Sequence, residues 1–470
     1  MQAQAPETEE VLETLRGAVR GTEYAGKLFL VGGFVRDKVM GLASAKDDID
    51  IVLEGDALGL ARFLRQSGAA DFEPVVYPKF GTAMVVVKGR DVEIVTARIE
   101  SYAPDSRKPD TVEPGTLADD AKRRDFTINT LLQSLDTGKI TDPLGLAFAD
   151  IEAKTIRTPT DPLVTFQDDG LRMLRAVRFA ARFGFSIHPI TWKAMRQRAT
   201  RINDINSDRT RVISYERIRE EFCKTLMTSR APMGLELLKD SGLLAQFAPE
   251  LTAMVGVTQN EFHAYPVWDH TLIALGHLPP DASLPLRLAT LCHDIGKPPT
   301  KAAGEDGRVH FYGHAETGAD ITRRLMTRLK FSNDEIAAVT KLVAQHMRIG
   351  EYRPLWTDAA VRRLMRDLGP QLDDLFEIHR VDVSALAPDH TDISRAQELL
   401  ARMAPIQATQ DIGTLTSPLD GQELMARLGL KPGKRLGELK EYLTNEVVEG
   451  RLAPDDKEGA ERLARAFPAS

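Results

Sequence analysis

Short apolar runs separated by glycine-containing turns mark the first 150 residues as a mixed α/β segment. Leu28–Val31 is a continuous apolar run with the length of a buried strand, and Gly32-Gly33 ends it. Asp48–Leu53 begins with alternating polar and apolar residues, the period of a half-buried strand. Ala83–Val87 and Val92–Val95 are further runs rich in β-branched residues. The pattern predicts a small mixed sheet.

The rest of the chain has the sequence pattern of helices. From about residue 150 to the end, strand patterns fade and apolar residues recur at helical spacing. Residues 102–115 are rich in proline and charge, so we expect a loop there. Residues 407–420 contain Thr, Ser, Gly and Pro and are expected to link the helical body to a final helical tail. The expected fold class is therefore α+β, with a mixed head followed by helical domains.

Composition narrows the class of protein. The 470 residues allow about three domains at ~100–200 residues each. The only two cysteines, Cys223 and Cys292, exclude a disulfide scaffold or a cysteine-based zinc cluster and suit a reducing compartment. No apolar stretch approaches the ~20 residues of a membrane span, and the acidic N-terminus lacks the apolar core of a signal peptide. We expect a cytoplasmic protein with no membrane partner.

The charge distribution matters more than its sum. A net charge of -7 would ordinarily argue against a nucleic-acid partner. Residues 172–211, however, contain ten Lys or Arg and two Asp, which gives +8 in forty residues and leaves -15 for the remainder. A local positive field of this kind is what a phosphate backbone requires.

The first candidate for chemistry lies at the end of the first predicted strand. A Gly-Gly turn lets backbone amides approach a phosphate, and the helix that follows favours negative charge at its N-terminus. Asp48 and Asp50 are two residues apart on the next strand, so both carboxylates point to one face. Oxygen ligands of this kind suit Mg²⁺, and Glu93 on a neighbouring strand is a possible third ligand. An ordinary turn followed by a solvated strand edge is the alternative interpretation.

Two segments resemble one enzyme family. Leu30–Asp37 followed by Asp48-Ile49-Asp50, and Arg123–Asn129 further on, are similar to the signatures of the class II tRNA nucleotidyltransferase and bacterial poly(A) polymerase family, within the polymerase β superfamily. The resemblance implies a polymerase-β-like head with a small mixed sheet. It makes Asp48 and Asp50 the catalytic, Mg²⁺-binding residues. It also implies that three residues hold the triphosphate and sugar of a nucleotide, namely Gly33, Arg36 and Arg124.

A helix with regularly spaced arginines follows. The segment Asp168–Phe179 resembles the same family's Glu-Asp-x-x-Arg motif. By that resemblance Asp169 and Arg172 read the base of the incoming nucleotide, while Arg175 and Arg178 hold phosphates. An acceptor beside a planar bidentate donor can address the edge of cytosine or adenine. In the plainer interpretation, the apolar residues form the core stripe of a helix and the arginines its solvated face.

A second set of residues resembles the HD phosphohydrolase superfamily. Its members follow the order of that superfamily's metal ligands, and they are His270, His293, Asp294, His314, His346 and Asp382. The resemblance implies a helical domain with one or two divalent ions, and a transition metal is a possible cofactor. Imidazole with carboxylate suits Mn, Fe, Ni, Co or Mg, and the residue types do not choose among them. Histidines packed in a helical core for structure alone are the alternative.

These observations predict four domains and an enzymatic activity. We expect a nucleotidyltransferase head over residues 1–149, a base-recognising helical neck over 150–250, an HD domain over 251–405 and a helical tail over 406–470. Four tail cations could contact tRNA, namely Lys431, Lys434, Arg435 and Lys440. The resemblance implies template-independent addition of CMP, AMP or both, from CTP and ATP, to the 3′ end of tRNA, with no obligate protein partner. A poly(A) polymerase of the same family, or an HD phosphohydrolase acting on RNA ends or nucleotides, is the alternative.

Overall fold

The computed structural model describes residues 8–42, 48–102, 109–304, 307–409 and 415–468. The chain forms two compact units, one of residues 1–252 with 328–330 and the other of residues 253–327 with 331–470. Within the described residues, no helix is long and apolar enough to cross a membrane.

The first unit contains a seven-stranded mixed sheet and twelve helices within its described residues. The strands are β1 (Leu28–Val31), β2 (Ile49–Leu53), β3 (Val75–Tyr77), β4 (Thr82–Val87), β5 (Arg90–Thr96), β6 (Arg98–Tyr102), β7 (Pro109–Pro114), β8 (Leu132–Ser134), β9 (Ile140–Thr141), β10 (Thr155–Ile156) and β11 (Ser186–Ile187). The helices are α1 (Thr8–Val19), α2 (Gly33–Val39), α3 (Ala57–Gln66), α4 (Leu117–Arg123), α5 (Ala147–Glu152), α6 (Pro162–Asp168), α7 (Leu171–Phe183), α8 (Pro189–Arg198), α9 (Tyr215–Leu226), α10 (Ala231–Asp240), α11 (Leu244–Phe247) and α12 (Pro249–Thr252).

The order of the main sheet is β3-β4-β5-β2-β1-β8-β9, and β2 and β5 are its parallel pair. Ile49, Ile51 and Leu53 of β2 are buried in a core that also takes in apolar residues of α1 and α3. Successive residues of a strand alternate between faces, so Asp50 lies on the opposite face, together with Val52. The parallel register pairs Asp50 with Glu93 of β5. The sheet therefore places two carboxylates side by side.

The sequence prediction for residues 102–115 is wrong in part. Pro109–Pro114 is a strand that pairs antiparallel with Arg98–Tyr102, because the β-branched residues Thr111 and Val112 continue the ladder despite the prolines. The predicted loop also includes residues 103–108, which lie outside the described residues. The two short strands β10 and β11 form a parallel pair, which the helical periodicity did not predict.

Helix α7 is the centre of the helical part of the first unit. Its apolar residues, among them Leu171, Leu174 and Val177, are buried as the core stripe predicts, and its arginines lie on the other side. Helices α9 and α10 pack on it, and Gly234 of α10 makes close approach possible. A Cβ at this position would lie 2.5 Å from Thr225 Cγ2.

The second unit is helical except for one small hairpin, as far as the structure describes it. Its helices are α13 (Val267–Gly276), α14 (Leu284–Cys292), α15 (Lys297–Thr300), α16 (His314–Arg328), α17 (Asn333–Gln345), α18 (Asp358–Leu368), α19 (Leu372–Ser384), α20 (Ser394–Thr409), α21 (Gly421–Leu428), α22 (Lys434–Val448) and α23 (Lys457–Ala466). The hairpin strands are β12 (Ala302–Ala303) and β13 (Val309–His310). The predicted linker over 407–420 begins too early, because α20 continues through Pro405 to Thr409, and residues 410–414 lie outside the described part.

Candidate active sites

The turn after β1 lies beside the acidic face of the sheet. Gly32 has a φ of 74°, a left-handed conformation that favours glycine. A Cβ on Gly32 would lie 3.5 Å from Asp50 Oδ2 and 3.7 Å from Arg124 Nη1. The Gly-Gly pair therefore brings the backbone at the start of α2 close to a carboxylate and a guanidinium at once.

Asp50 carries the electrostatic signature of a cation site. Burial and the neighbouring Glu93 carboxylate raise the pKa of Asp50 to about 6, while Arg124 opposes this change. Asp48 raises it further. A divalent cation among these carboxylates would remove their mutual repulsion, and oxygen donors are the ligands that Mg²⁺ prefers. The donor set therefore fits such an ion.

A cavity of about 470 Å³ joins this acidic end to the arginine helix. Seven of the predicted site residues line it, namely Gly33, Arg36, Asp48, Asp50, Arg124, Arg175 and Arg178. Asp125, Asn129, Phe179 and Arg182 line it as well. Asp169 and Arg172 do not belong to its lining. One cavity therefore combines carboxylates with several guanidinium groups.

Arg36 is held rigidly. Its Nε donates to Asp37 Oδ1 at 2.6 Å, and its Nη1 donates to Asn129 Oδ1 at 2.7 Å. Its guanidinium carbon lies 5.1 Å and 4.8 Å from the ring centroids of Phe179 and Phe183. Ion pairing, hydrogen bonding and cation–π contact together fix a residue of which only 3% is exposed.

The arginines of α7 are also paired with acids. Arg175 Nη2 lies 2.6 Å from Asp125 Oδ2, and Arg178 Nε donates to Glu221 Oε2 at 2.6 Å. Burial raises the pKa of Asp125, but the Arg175 charge and hydrogen bonds from Asn129 and Arg175 outweigh burial and lower it to about 2. The carboxylate is therefore ionised, and it orients Arg175 within the lining of the cavity.

The predicted base-reading pair lies at the N-terminal end of α7. Asp169 Oδ1 accepts a hydrogen bond from the Leu171 amide at 2.9 Å, and Arg172 Nη2 donates to the Arg123 carbonyl at 2.7 Å. Arg217 Nη2 lies 3.9 Å from Asp169 Oδ2, while its Nη1 is buried and has no hydrogen-bond partner among the described residues. No sequence pattern had indicated that Arg217 lies beside Asp169.

Several acids that position the arginines were missed by the sequence analysis. Asp120 accepts from Arg124 Nε at 3.0 Å and is 1% exposed. The four-residue spacing of Asp120 and Arg124 on a predicted helix could have revealed this pair. Asp37 and Glu221 pair with arginines far away in the sequence, and no local spacing signals such contacts.

The six predicted ligands of the second site form two triads. The members of each triad offer ligand atoms within 4.8 Å of one another, and the triads are His270, His293 and Asp382, and Asp294, His314 and His346. In the first triad, Asp382 Oδ1 lies 2.8 Å from His270 Nε2 and 3.5 Å from His293 Nε2. His293 and Asp294 are adjacent in sequence, so one turn after α14 contributes to both triads.

The four imidazoles are oriented by backbone carbonyls. The Nδ1 atoms of His293, His314 and His346 lie 2.7–2.8 Å from the carbonyl of the residue three positions earlier in each case. His270 Nδ1 lies 3.2 Å from the Ala385 carbonyl. A carbonyl only accepts, so each Nδ1 carries a proton and each Nε2 is turned towards the centre of the site. This is the arrangement that metal-bound histidine requires.

Lys297 is a further residue of this site. Its Nζ lies 2.7 Å from Asp294 Oδ2 and donates to Gln259 Oε1 at 2.6 Å. Burial raises the pKa of Asp294, but His293 and Lys297 outweigh burial and hold it well below its usual range. A cavity of about 680 Å³ opens over Asp294, His314, His346 and Asp382. The site therefore combines metal ligands with a buried cation.

Comparisons with known proteins agree with this arrangement. The Poly A polymerase head domain matches residues 28–157, the probable RNA and SrmB-binding site of polymerase A matches 184–255, and the HD domain matches 263–402. Domains of the first and third kinds use divalent metal ions. The fold is thus a polymerase head domain followed by a helical HD domain.

Two relatives that match more than nine-tenths of this chain identify its family. The A-adding tRNA nucleotidyltransferase of Deinococcus radiodurans is 33% identical over 93% of this chain and 94% of its own. The CC-adding tRNA nucleotidyltransferase of Thermus thermophilus is 32% identical over 93% and 92%. The crystal structure of the Bacillus stearothermophilus CCA-adding enzyme in complex with CTP shares the fold, with a TM-score of 0.66 and 23% identity over 98% of both chains. The chain belongs to the tRNA nucleotidyltransferase family.

Proposed function

We propose that this protein is a template-independent nucleotidyltransferase that adds CMP, AMP or both to the 3′ end of tRNA, from CTP and ATP. The observation that carries the proposal is the single cavity in which Asp48 and Asp50 face Arg124, Arg175 and Arg178. The curated names of its relatives, A-adding and CC-adding tRNA nucleotidyltransferase, support the same activity. In this reaction the 3′ hydroxyl of RNA attacks the α-phosphate of the nucleotide, and pyrophosphate leaves.

Different residues of the head bind the metal ions and the nucleotide. Asp48 and Asp50 hold divalent cations, for which we propose Mg²⁺. Such ions, when bound, activate a hydroxyl and stabilise the departing oxygen. Gly33 and the amides at the start of α2 approach the triphosphate, while Arg124, which lies beside the Gly-Gly turn, supplies positive charge. Arg36, which is fixed by Asp37 and Asn129, lines the same cavity.

Asp169 and Arg172 select the base of the incoming nucleotide. An acceptor beside a bidentate donor can hydrogen-bond the edge of cytosine or adenine. The Leu171 amide holds the Asp169 carboxylate in place, and Arg217 Nη2 lies 3.9 Å from it. Arg175 and Arg178 hold phosphates, and their pairing with Asp125 and Glu221 fixes where their donors point.

The HD domain supports a second candidate activity, hydrolysis of a phosphate ester. The observation in its favour is the convergence of four Nε2 atoms and two carboxylates in the triads of His270, His293, Asp294, His314, His346 and Asp382. These donors suit a divalent transition metal or Mg²⁺. Lys297 fixes Asp294 and adds a positive charge that a phosphate would meet.

Paired variants separate the two activities. Asp50→Ala should abolish incorporation of labelled CTP and ATP into tRNA, whereas hydrolysis of p-nitrophenyl phosphate should persist. His293→Ala should remove the hydrolysis and leave nucleotide addition intact. His277→Ala, an exposed histidine outside both triads, is the matched control and should alter neither. Loss of nucleotide addition in His293→Ala but not in Asp50→Ala would reverse the assignment.

The proposed function also includes a cellular location and contacts between the tail and tRNA. Neither cysteine, both in the described part of the chain, forms a disulfide bond, which supports a cytoplasmic location. Lys431, Lys434, Arg435 and Lys440 of the tail are proposed to contact the tRNA backbone, because an exposed lysine such as Lys434, 93% exposed in its side chain, can pair with a phosphate. For the head, neck, HD domain and tail we propose the boundaries predicted from sequence, namely 1–149, 150–250, 251–405 and 406–470.

A further inference from the structure

A second cavity opens next to the proposed nucleotide site. Its volume is about 520 Å³, and its lining consists of Arg178, Arg182, Lys224, Met227, Thr228 and Ser229. Arg178 and Arg182 also line the cavity that holds Asp48 and Asp50. None of these six residues is acidic. Arg178 and Arg182 thus form a wall that the two cavities share. The second cavity is basic and is partly lined by the hydroxyl groups of Thr228 and Ser229.

The shared wall has more guanidinium groups than carboxylates. Asp37 accepts from both Arg36 and Arg182, at 2.6 Å and 2.9 Å. Glu221 accepts from Arg178 at 2.6 Å and lies 3.7 Å from Arg175. One carboxylate between two guanidinium groups orients both but does not neutralise both.

Arg175 is neutralised in addition by Asp125, so the surplus charge is concentrated towards the second cavity. Arg230 adds to it, because its Nη1 lies 3.5 Å from the Arg182 carbonyl at the end of α7. The second cavity therefore attracts an anion.

Lys224 is the cation most able to change partners. It lies on α9 with its Nζ 3.8 Å from Glu220 Oε1, and the two side chains are 54% and 64% exposed. An exposed ion pair of this length contributes little, because solvent and salt screen it. A phosphate entering the cavity can therefore recruit Lys224 at little cost.

We infer that this second cavity binds a phosphodiester near the 3′ end of the RNA acceptor. The inference rests on the proposed nucleotide addition, in which the RNA hydroxyl must reach the nucleotide's α-phosphate inside the first cavity. The last phosphodiesters of the RNA then lie within a nucleotide's length of that cavity, and the second cavity is the adjoining basic space. Arg182 and Lys224 contact the phosphate, and the Ser229 hydroxyl can donate to it.

The test compares Lys224→Ala with Lys224→Arg and with Lys193→Ala. Lys193 is an exposed lysine of α8 that lines neither cavity, so it controls for general loss of charge. The measurements are KM for a tRNA transcript that ends before CCA, KM for CTP and ATP, and inhibition by pyrophosphate, each at several salt concentrations. Melting temperatures should be unchanged, because Lys224 is exposed.

For Lys224→Ala we expect a KM for tRNA raised about five- to tenfold and a salt dependence reduced by about one unit of slope. KM for the nucleotides should stay within twofold, and Lys224→Arg should restore most of the binding. Unchanged tRNA binding in Lys224→Ala overturns the inference, as does a rise confined to nucleotide KM or pyrophosphate inhibition. Absence of nucleotide addition by the wild type overturns the proposed function and this inference together.

Discussion

Arg175 Nη2 of the neck helix α7 lies 2.6 Å from Asp125 Oδ2 in the Arg-Arg-Asp-Phe-Thr segment. The other oxygen of Asp125 accepts from Asn129 Nδ2 at 2.8 Å, and Asn129 Oδ1 accepts from Arg36 at 2.7 Å. A continuous hydrogen-bonded chain therefore runs from the Gly-Gly-Phe-Val-Arg motif to the arginine helix. The Asp125 carboxylate therefore contacts both Asn129 of its own motif and Arg175 of the arginine helix.

Removing the charge of Asp125 should destabilise the first unit. In Asp125→Asn the half-buried Arg175 loses an ionised partner, and losing a hydrogen bond to a charged group costs about 1.5–3 kcal/mol. The free energy of unfolding at pH 7, from urea denaturation, should fall by that amount. Asp91→Asn, an exposed aspartate on β5, should stay within about 0.5 kcal/mol of the wild type.

The effect of Asp125→Asn should depend on pH. The pKa of Asp125 is about 2 in the folded chain and 3.8 ordinarily, so its stabilisation is fully present above the ordinary pKa and disappears as the pH falls towards about 2. The stability difference between Asp125→Asn and the wild type should therefore shrink between pH 4 and pH 2. A difference that is constant over this range would show that the Asp125 charge does not stabilise the fold.

Base discrimination should depend on Asp169 and Arg172. Removing one partner of a bidentate reader costs about 1–3 kcal/mol of discrimination, which is about five- to 150-fold in relative kcat/KM. In Asp169→Ala the preference for CTP or ATP over UTP should fall by this factor, measured by single-nucleotide addition to tRNA. Arg217→Lys should cause a smaller loss, because it keeps a positive charge beside Asp169. Unchanged discrimination in both Asp169→Ala and Arg172→Ala would contradict the assignment.

The two triads of the HD domain predict its metal content. Each triad offers three ligand atoms, so we expect about two divalent ions per chain when both triads are filled. Elemental analysis by mass spectrometry should show about one ion fewer in His270→Ala and in His314→Ala. His277→Ala should keep the wild-type content. Equal metal contents in all four proteins would mean that the triads are not the metal sites.

Gly296 should be intolerant of any side chain. A Cβ at Gly296 would lie 2.0 Å from the His314 carbonyl oxygen and 2.6 Å from the Gly318 amide nitrogen. Gly296→Ala must therefore push α16 away, which we expect to cost about 3 kcal/mol in chemical denaturation and to reduce metal binding through His314. Gly437→Ala, at an open position of α22, should be neutral or stabilising by up to about 1 kcal/mol. Equal stability of the two variants would contradict the close packing.

Local patterns were enough to predict which carboxylates and imidazoles lie together, and for a physical reason. Alternation along β2 placed Ile49 and Ile51 in the core, and the core then determines the direction of Asp50. The His293-Asp294 pair is adjacent in sequence, so its proximity needs no tertiary information. The distant partners of the arginines could not be predicted from sequence, because pairs such as Asp37 with Arg182 are 145 positions apart. Backbone pairing also overrode the loop expected at Pro109–Pro114.

Sequencing of RNA 3′ ends after incubation with the purified protein tests the central claim most directly. The substrates are tRNA that lacks CCA, tRNA that lacks only the terminal A, and intact tRNA, each with a single NTP or with CTP and ATP together. The account predicts addition of C, A or both up to a completed CCA end, no addition to intact tRNA, and loss of all addition in Asp50→Ala. Long A tails on unrelated RNA, or no addition to any incomplete tRNA, would contradict it.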